Sequence, residues 1–365
     1  LEDMDKGGIK VAKAVPLINK VGELIVSMSK REAEATAGVI YVENGLKGAS
    51  IGGYSMPGVD EKAELKLAGA VPKDAFLTIN AAGDPAVDAQ GTELLEALFG
   101  AAYHVASGIA TADGNEDFAE GFKMFDEVFR PKLLKVHEIM KNKVQKGLGK
   151  EGGIVVDLNG SMPKIPGAPA VIIKEGKLPR VAMFSTVKER KLLTEAWQEL
   201  VPAINEIAKA VPGQEPGREF QIPDPLTSDG KDVKTHFMGL PFVSNDFLPS
   251  LSISDELFFL STSKNFSEEL AGKIAAGGGE KTTGVLMRMR LDSLHGYAEG
   301  WLDLVLNNSN EIFAGNEFAE EDFKENAGNI RMVLGLLEGL KGFEYHRYKG
   351  DNWRTDWHLE VSDIE

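Results

Sequence analysis

One short stretch occurs twice in this chain, at residues 114–122 and again at residues 315–323. The first copy reads G-N-E-D-F-A-E-G-F and the second reads G-N-E-F-A-E-E-D-F. Both copies open an amphipathic helix pattern, and each follows a short apolar strand pattern and a further helix pattern. Copies about 200 residues apart lie far beyond the usual solenoid period of roughly 20 to 50 residues. The repetition therefore predicts a chain built from two duplicated halves.

The elements around the two copies follow the same order, which is a strand, a helix and then a long helix. The predicted strands are 76–80 and 285–289, and the helices that follow them lie near 88–107 and 294–306. The helix opened by the first copy, residues 117–146, is the longest in the pattern. If the halves are copies, we expect Phe118 and Phe318 to occupy equivalent positions in the two cores.

The remaining strand patterns favour antiparallel pairing. Asn44-Gly45 separates a strand at 39–42 from its return at 46–54, because both residues tolerate the positive φ of a tight hairpin turn. Further predicted strands are 154–158, 170–173 and 181–184, and a final hairpin joins 343–348 to 353–361. Strands and helices come in blocks, which favours an α+β fold over a doubly wound sheet. We predict two duplicated halves, each an antiparallel sheet packed with long helices.

The boundary between the halves is predicted at residues 211–232. This segment contains four prolines together with glycines, a composition typical of a linker. Residues 1–210 then form the N-terminal half, with a helix, hairpin strands and the first repeat. Residues 233–365 form the C-terminal half, with the second repeat and the terminal hairpin.

Composition excludes several classes of function. The chain of 365 residues has 40 basic and 56 acidic residues, and its formal net charge of −16 disfavours binding to nucleic acid or anionic lipid. It contains no cysteine, which excludes disulfides, thiol catalysis and cysteine-ligated zinc. No apolar run is long enough for a transmembrane segment. The overall composition is that of an ordinary folded protein.

The segment V-P-K-D-A at residues 71–75 precedes an apolar strand pattern. In this respect, and in its repeated strand and helix blocks, the chain loosely resembles exported bacterial proteins of unknown function. Those proteins are periplasmic or lipid-anchored and have duplicated α+β halves. The resemblance implies an extracytoplasmic location, and the lack of oxidisable thiols is compatible with it. Because the chain begins with Leu1 rather than Met, we expect its targeting segment to be absent from this sequence.

Two aspartates suggest a secreted acid hydrolase as an alternative function. Aspartic peptidases place one Asp from each lobe in an Asp-Thr/Ser-Gly turn, where the pair shares a proton and activates water. Asp157 in V-V-D-L-N-G-S and Asp229 in S-D-G come nearest to that turn. The first has one residue too many, and the second reverses Ser and Asp. If the chain is a peptidase acting on protein or glycoprotein, Asp157 and Asp229 are its candidate catalytic pair.

Trp353 and Trp357 occupy alternate positions in the last predicted strand, so they share one face. Such a pair can stack on a glycan or peptide, or it can complete a core against a helix at 323–340. Cofactor and metal motifs fail: in the glycine-rich 276–283, for example, Glu280 stands where a phosphate loop requires Gly. We therefore predict a non-catalytic, extracytoplasmic binding or interaction protein. Its ligand would be a protein, peptide or glycan held between the duplicated halves, with no cofactor and no metal.

Overall fold

A computed structural model of the protein describes residues 11–68, 72–112, 116–213, 221–230, 233–239, 244–275 and 282–362. The strands are β1 (Ala33–Val42), β2 (Leu46–Tyr54), β3 (Glu64–Leu65), β4 (Leu77–Ala82), β5 (Leu148–Ser161), β6 (Lys177–Val187), β7 (Leu226–Asp229), β8 (Lys234–Phe237), β9 (Ser250–Ile253), β10 (Leu257–Ser261), β11 (Thr282–Thr283), β12 (Val285–Arg290), β13 (Leu340–Lys349) and β14 (Trp353–Val361). The helices are α1 (Val15–Ser29), α2 (Pro85–Ala110), α3 (Glu116–Met124), α4 (Arg130–Ile139), α5 (Gln145–Gly147), α6 (Ala170–Glu175), α7 (Arg190–Lys209), α8 (Lys264–Ala275), α9 (Leu291–Asn307), α10 (Ser309–Ile312) and α11 (Glu317–Gly335). This content confirms the predicted α+β class.

One large sheet organises the described part of the molecule. Its twelve strands lie in the order β1-β2-β14-β13-β12-β4-β5-β6-β10-β9-β8-β7. Every neighbouring pair in it is antiparallel, as predicted. Strands β3 and β11 form a separate antiparallel pair. Asn44 and Gly45 both adopt positive φ, 51° and 114°, between β1 and β2, which confirms the predicted turn.

Strands β4 and β12 lie side by side at the centre of this sheet, with Ile79 opposite Met287. Outward from β4 come β5 and β6, the next two strands of the sheet along the chain; outward from β12 come β13 and β14. Helices connect β4 to β5 and β12 to β13. The segment that begins at β4 and the segment that begins at β12 thus have the same order of strands and helices. A duplication would produce this arrangement, and the duplication itself stays a prediction.

The sheet runs through both predicted halves without a break. Strand β2 of the first half pairs with β14 of the second, and β4 pairs with β12. Strand β7, inside the predicted linker, is the outermost strand of the same sheet. Ile222 is also held to α7, because its backbone N–H donates to Asn205 at 2.7 Å and its carbonyl accepts from the Asn205 amide at 3.0 Å. Residues 211–232 therefore do not separate two independent sheets; residues 214–220 and 231–232 lie outside the described residues.

Two expectations about local structure need correction. Residues 170–173, predicted as a strand, belong to helix α6. Pro169 directly precedes this helix and cannot donate a hydrogen bond to a sheet, and a short apolar run does not distinguish strand from helix. Phe118 and Phe318 are exposed rather than buried in two cores. Helical periodicity shows which residues share a face, but it does not show whether another element covers that face. The first two residues of the first copy, 114 and 115, lie outside the described residues.

The helical segment 116–147 is not a regular α-helix throughout. A π-helical turn, Phe125–Phe129, separates α3 from α4, and a second, Met140–Val144, separates α4 from α5. Pro131 is the second residue of α4, which begins directly after the first of these turns. Its ring cannot donate the hydrogen bond that a regular helix needs at that position.

The largest buried cluster lies between the sheet and α8. Strand β10 buries alternate residues, Leu257, Phe259 and Ser261, as a strand with one covered face should. Phe266 and Leu270 of α8 belong to the same cluster. Truncating a fully buried side chain such as Phe259 to Ala typically costs about 3–5 kcal/mol. This packing holds β6, β9 and β10 in place and so supports the start of β6, which lines a cavity.

Candidate functional site

A cavity of about 310 Å³ lies where α9 passes the end of β5, the end of α6 and the start of β6. One face of α9 forms its wall. The residues of that face follow the three- and four-residue spacing of a helix. They are Ser293, Gly296, Tyr297, Gly300, Trp301 and Leu304. The cavity thus lies between an element of the second predicted half and elements of the first.

Two glycines keep the wall of the cavity open. Gly296 and Gly300 are exposed, and a Cβ placed on either one would meet no atom within 4 Å. Each glycine directly precedes one of the two aromatic residues of the wall. The helix backbone is therefore accessible beside each ring, in space that a larger side chain would fill.

The polar ends of the two aromatic side chains are bound to one carbonyl group. The Tyr297 hydroxyl donates to the Lys177 carbonyl at 3.1 Å, and the Trp301 indole N–H donates to the same oxygen at 3.0 Å. Gly176 allows this close approach, since a Cβ there would lie only 3.0 Å from the Trp301 ring. The hydrogen bonds hold both rings in place, and their apolar surfaces line the cavity.

The rest of the lining is apolar at the base and polar at the rim. Leu158 is buried and Phe76 is partly buried. At the rim, Asn159 is held by its neighbour, because its backbone N–H and its side-chain amide both donate to Asp157, at 2.8 and 3.1 Å. Two exposed carboxylates, Asp74 and Glu175, also line the cavity. This rim offers hydrogen-bond acceptors, and its two carboxylates are paired with Lys273 at 3.7 Å and Lys174 at 3.4 Å.

Asp157 belongs to a buried ion cluster. The Arg180 guanidinium is buried and donates to Asp157 at 2.8 Å, to Asp246 at 3.3 Å and to Glu269 at 3.2 Å. Burial alone would raise the pKa of Asp246, but hydrogen bonds from Ser161 and the charge of Arg180 outweigh it and lower that pKa. Asp157 thus serves as a counter-ion that stabilises the packing of β5 against β6.

The structure does not bring the predicted catalytic aspartates together. Asp229 lies on the edge strand β7, with its side chain exposed and 4.0 Å from Lys234. Four strands, β6, β10, β9 and β8, lie between β5 and β7. At about 4.8 Å for each neighbouring pair, Asp157 and Asp229 are separated by about 24 Å. That distance excludes a shared proton, so these residues are not a peptidase dyad. Local motifs do not reveal the separation of Asp157 and Asp229, because strand order is independent of local sequence.

The two predicted binding tryptophans do not form an exposed platform either. Trp353 is buried, and its indole N–H donates to Glu61 at 2.6 Å. The Lys349 ammonium lies 3.1 Å from the centroid of the Trp353 ring and so covers it. Trp357 is half-buried and lies opposite Gly48 on the neighbouring strand β2. Residues around Glu61 thus cover Trp353, in place of the predicted helix at 323–340.

The sequence does contain a signal for the aromatic wall, which the sequence analysis missed. Residues 296–301 read G-Y-A-E-G-W, with an aromatic residue after each of two glycines. A four-residue spacing places both rings on one side of a helix, and the glycines leave space beside them. The pattern is short, and the contact with Lys177 that orients the rings comes from a distant part of the chain.

Within the described ranges, no three His, Asp or Glu side chains are grouped so that they could hold a metal ion. No described helix is both long and apolar enough to cross a membrane. No protein-family model, curated protein or solved structure matches this chain.

Proposed function

We propose that the protein is a non-catalytic binding protein and that the cavity beside α9 holds its ligand. The observation that supports this most directly is the anchoring of Tyr297 and Trp301 on the single carbonyl of Lys177. Two rings held in place beside open helix backbone form a preformed apolar wall, as is typical of small-molecule sites. The position between elements of the two predicted halves is also where the sequence predicts a cleft.

The ligand class that fits this cavity best is a neutral glycan. A pyranose ring has an apolar face that stacks on aromatic side chains and hydroxyl groups at its edges that donate hydrogen bonds. Asp74, Asn159 and Glu175 supply acceptors at the rim. Ligand cavities usually enclose about 300–1,000 Å³, so a cavity of this size suits one or two sugar units. Acidic sugars and nucleic acid are disfavoured by the rim carboxylates and by the net charge of −16.

The proposed setting is extracytoplasmic, in the periplasm, at the outer surface or in secreted form. The cysteine-free composition supports this, since a protein outside the cytoplasm then carries no thiol to be oxidised. Fractionation of cells that produce the full-length protein tests this part of the proposal. Recovery with cytoplasmic markers would contradict it.

The binding site is tested with Gly300→Leu, which fills the cavity without removing any contact. A Cβ at Gly300 meets no atom within 4 Å, so the fold should tolerate the change. Gly121→Leu is the matched control, because Gly121 is an exposed helical glycine with the same free space outside the cavity. Binding of neutral mono- and disaccharides is measured by calorimetry, with circular dichroism to verify folding. We expect Gly300→Leu to weaken binding at least about tenfold, which is about 1.4 kcal/mol, and Gly121→Leu to leave it unchanged.

Each other outcome overturns a definite part of the proposal. Equal binding by Gly300→Leu and the wild type would remove the cavity as the site, and absence of binding to every neutral sugar would remove the glycan class. Binding of short peptides that Gly300→Leu abolishes would keep the cavity and replace glycan by peptide. Bound sugar should be recovered unchanged, and the appearance of cleavage products would contradict a non-catalytic role.

A further inference from the structure

Strand β1 forms one edge of the large sheet, and it is long, apolar and uncovered. It pairs with β2 on one side, and no described strand pairs with its other side. From Ala35 to Val42 it contains no charged residue. Ile40 and Val42 are 66% and 82% exposed, and Val39 and Tyr41, which point to the opposite face, are exposed as well. Such an edge offers a row of backbone hydrogen-bonding groups and two apolar faces to another strand.

The opposite edge of the same sheet is protected. Strand β7 is only four residues long, Pro225 directly precedes it and the exposed Asp229 ends it. Short length, proline and charge are the usual devices that prevent edge-to-edge pairing. On β1 such devices are confined to its first residues, where Glu34 is charged and the pairing is irregular between Glu34 and Ala37. The unprotected part of β1 therefore extends from about Ala37 to Val42, where the turn begins.

We propose that β1 is a dimer interface, at which β1 of a second copy of this chain pairs antiparallel with it about a two-fold axis at Val39. This proposal is independent of the cavity. A two-fold axis perpendicular to the sheet brings the same strand of both copies together and closes the assembly. Val39 then lies opposite Val39 of the second copy. On either side of it, Gly38 lies opposite Ile40 of the second copy, and Ala37 lies opposite Tyr41.

Size and charge both favour a second copy as the occupant. In this register Ile40 lies opposite Gly38 and Tyr41 opposite Ala37, so two large side chains meet small residues. The same sheet already contains such a pair, Trp357 opposite Gly48. Two acidic molecules repel, so their contact should avoid uncompensated carboxylates. The carboxylates that flank the uncharged segment meet this condition. Glu34 lies 3.0 Å from Lys349, and Glu43 lies 3.0 Å from Lys47.

A single introduced thiol tests the register. The chain has no cysteine, so Val39→Cys creates its only thiol. On a two-fold axis the two copies of residue 39 lie within the roughly 4.4–6.8 Å between Cα atoms that a disulfide requires. We expect mild oxidation to convert Val39→Cys to a covalent dimer. Val42→Cys is the control, because its two copies would lie about 20 Å apart at a rise of about 3.4 Å per residue. Equal cross-linking of both variants, or of neither, would overturn the register.

Molar mass in solution tests the dimer itself. At about 100 μM, well above a micromolar Kd, light scattering should give twice the 39.5 kDa of the single chain. Ile40→Lys should give the mass of one chain, since it places an ammonium group at the contact. Leu336→Lys directly after α11, where the Leu is 76% exposed, is the matched control and should remain dimeric. A monomeric wild type, or a dimer that Ile40→Lys leaves intact, would overturn the proposal.

Discussion

The Trp357 side chain on β14 lies over Gly48 on the neighbouring strand β2. Its indole occupies the space that a Cβ on Gly48 would need. An ideal Cβ at Gly48 would come within 2.3 Å of the Trp357 ring. The two residues face each other on paired antiparallel strands, where side chains are close neighbours. The glycine thus allows a large aromatic side chain to cover the backbone of its neighbouring strand.

The first prediction follows from this contact. Gly48→Ala should lower the free energy of unfolding by about 1–3 kcal/mol, because the added methyl group displaces the indole. Gly91→Ala in α2 is the control, since a Cβ there meets no atom within 4 Å. Alanine favours a helix over glycine, so the control should gain stability, by about 0.5–1 kcal/mol. Chemical denaturation measures both, and equal effects would contradict the contact.

The second prediction separates the two tryptophans of β14. Trp353→Ala should cost about 3–5 kcal/mol, because this side chain is fully buried. Trp353→Phe keeps most of the ring and removes the bond to Glu61, so a smaller loss of about 1–3 kcal/mol is expected. Trp357→Ala should cost less than Trp353→Ala, because Trp357 is only half-buried. Thermal melts of the three variants decide the order, and an unchanged melting temperature for Trp353→Ala would contradict the burial.

The third prediction concerns Asp157 and Asp229, the two aspartates nearest to a peptidase motif in the sequence. Asp157→Asn should lower the free energy of unfolding by about 1–3 kcal/mol, because the buried Arg180 loses a charged acceptor. Asp229→Asn should change it by less than about 0.5 kcal/mol, since that carboxylate is exposed. Urea unfolding measures both variants. If instead the protein cleaved protein substrates at acid pH and each variant abolished cleavage, the separation of the two residues would have to be revised.

The fourth prediction is a pH dependence at His236. Burial, followed by the charge of Lys234, lowers the pKa of His236 from its ordinary value of 6.5, and its ring packs near Trp197. The unfolded chain therefore takes up the proton at higher pH than the folded protein. The stability that depends on neutral His236 should be fully present above pH 6.5. It should be lost as the pH decreases from 6.5 towards the lowered pKa.

Urea unfolding at about pH 7.5 and about pH 5.5 measures this dependence. His236→Gln cannot take up the proton, so the difference between the two conditions should be smaller in that variant. Tryptophan fluorescence, to which Trp197 beside the substituted site contributes, follows the transition. An identical pH dependence in the wild type and the variant would show that other groups cause it.

The fifth prediction concerns the duplication. If the halves are duplicated, β4 and the strands and helices after it should superpose on β12 and those after it. Ile79 should match Met287, which it faces at the centre of the sheet. The test is the root-mean-square deviation of the matched strands with their helices, and helices in unrelated positions would reduce the repeated sequence to coincidence.

The sequence by itself determined the class of fold and much of its local structure. Alternating apolar residues predict the strands, because successive side chains of a strand point to opposite faces. Asn44-Gly45 predicts the first hairpin turn for an equally local reason, since few other residues accept positive φ. Such features depend on interactions between residues close in the chain, and these interactions are encoded in short stretches.

Only the tertiary structure decided which faces are covered and which distant residues meet. Trp353 lies on the apolar face of a predicted strand, and Phe118 lies on that of a predicted helix. Trp353 is buried and Phe118 is exposed, because different elements lie next to them. The order of strands separates Asp157 from Asp229, and the start of β6 provides the carbonyl that orients Trp301. These relationships join residues far apart in the chain. Burial and geometry there depend on how the whole sheet assembles, which no local stretch of sequence specifies.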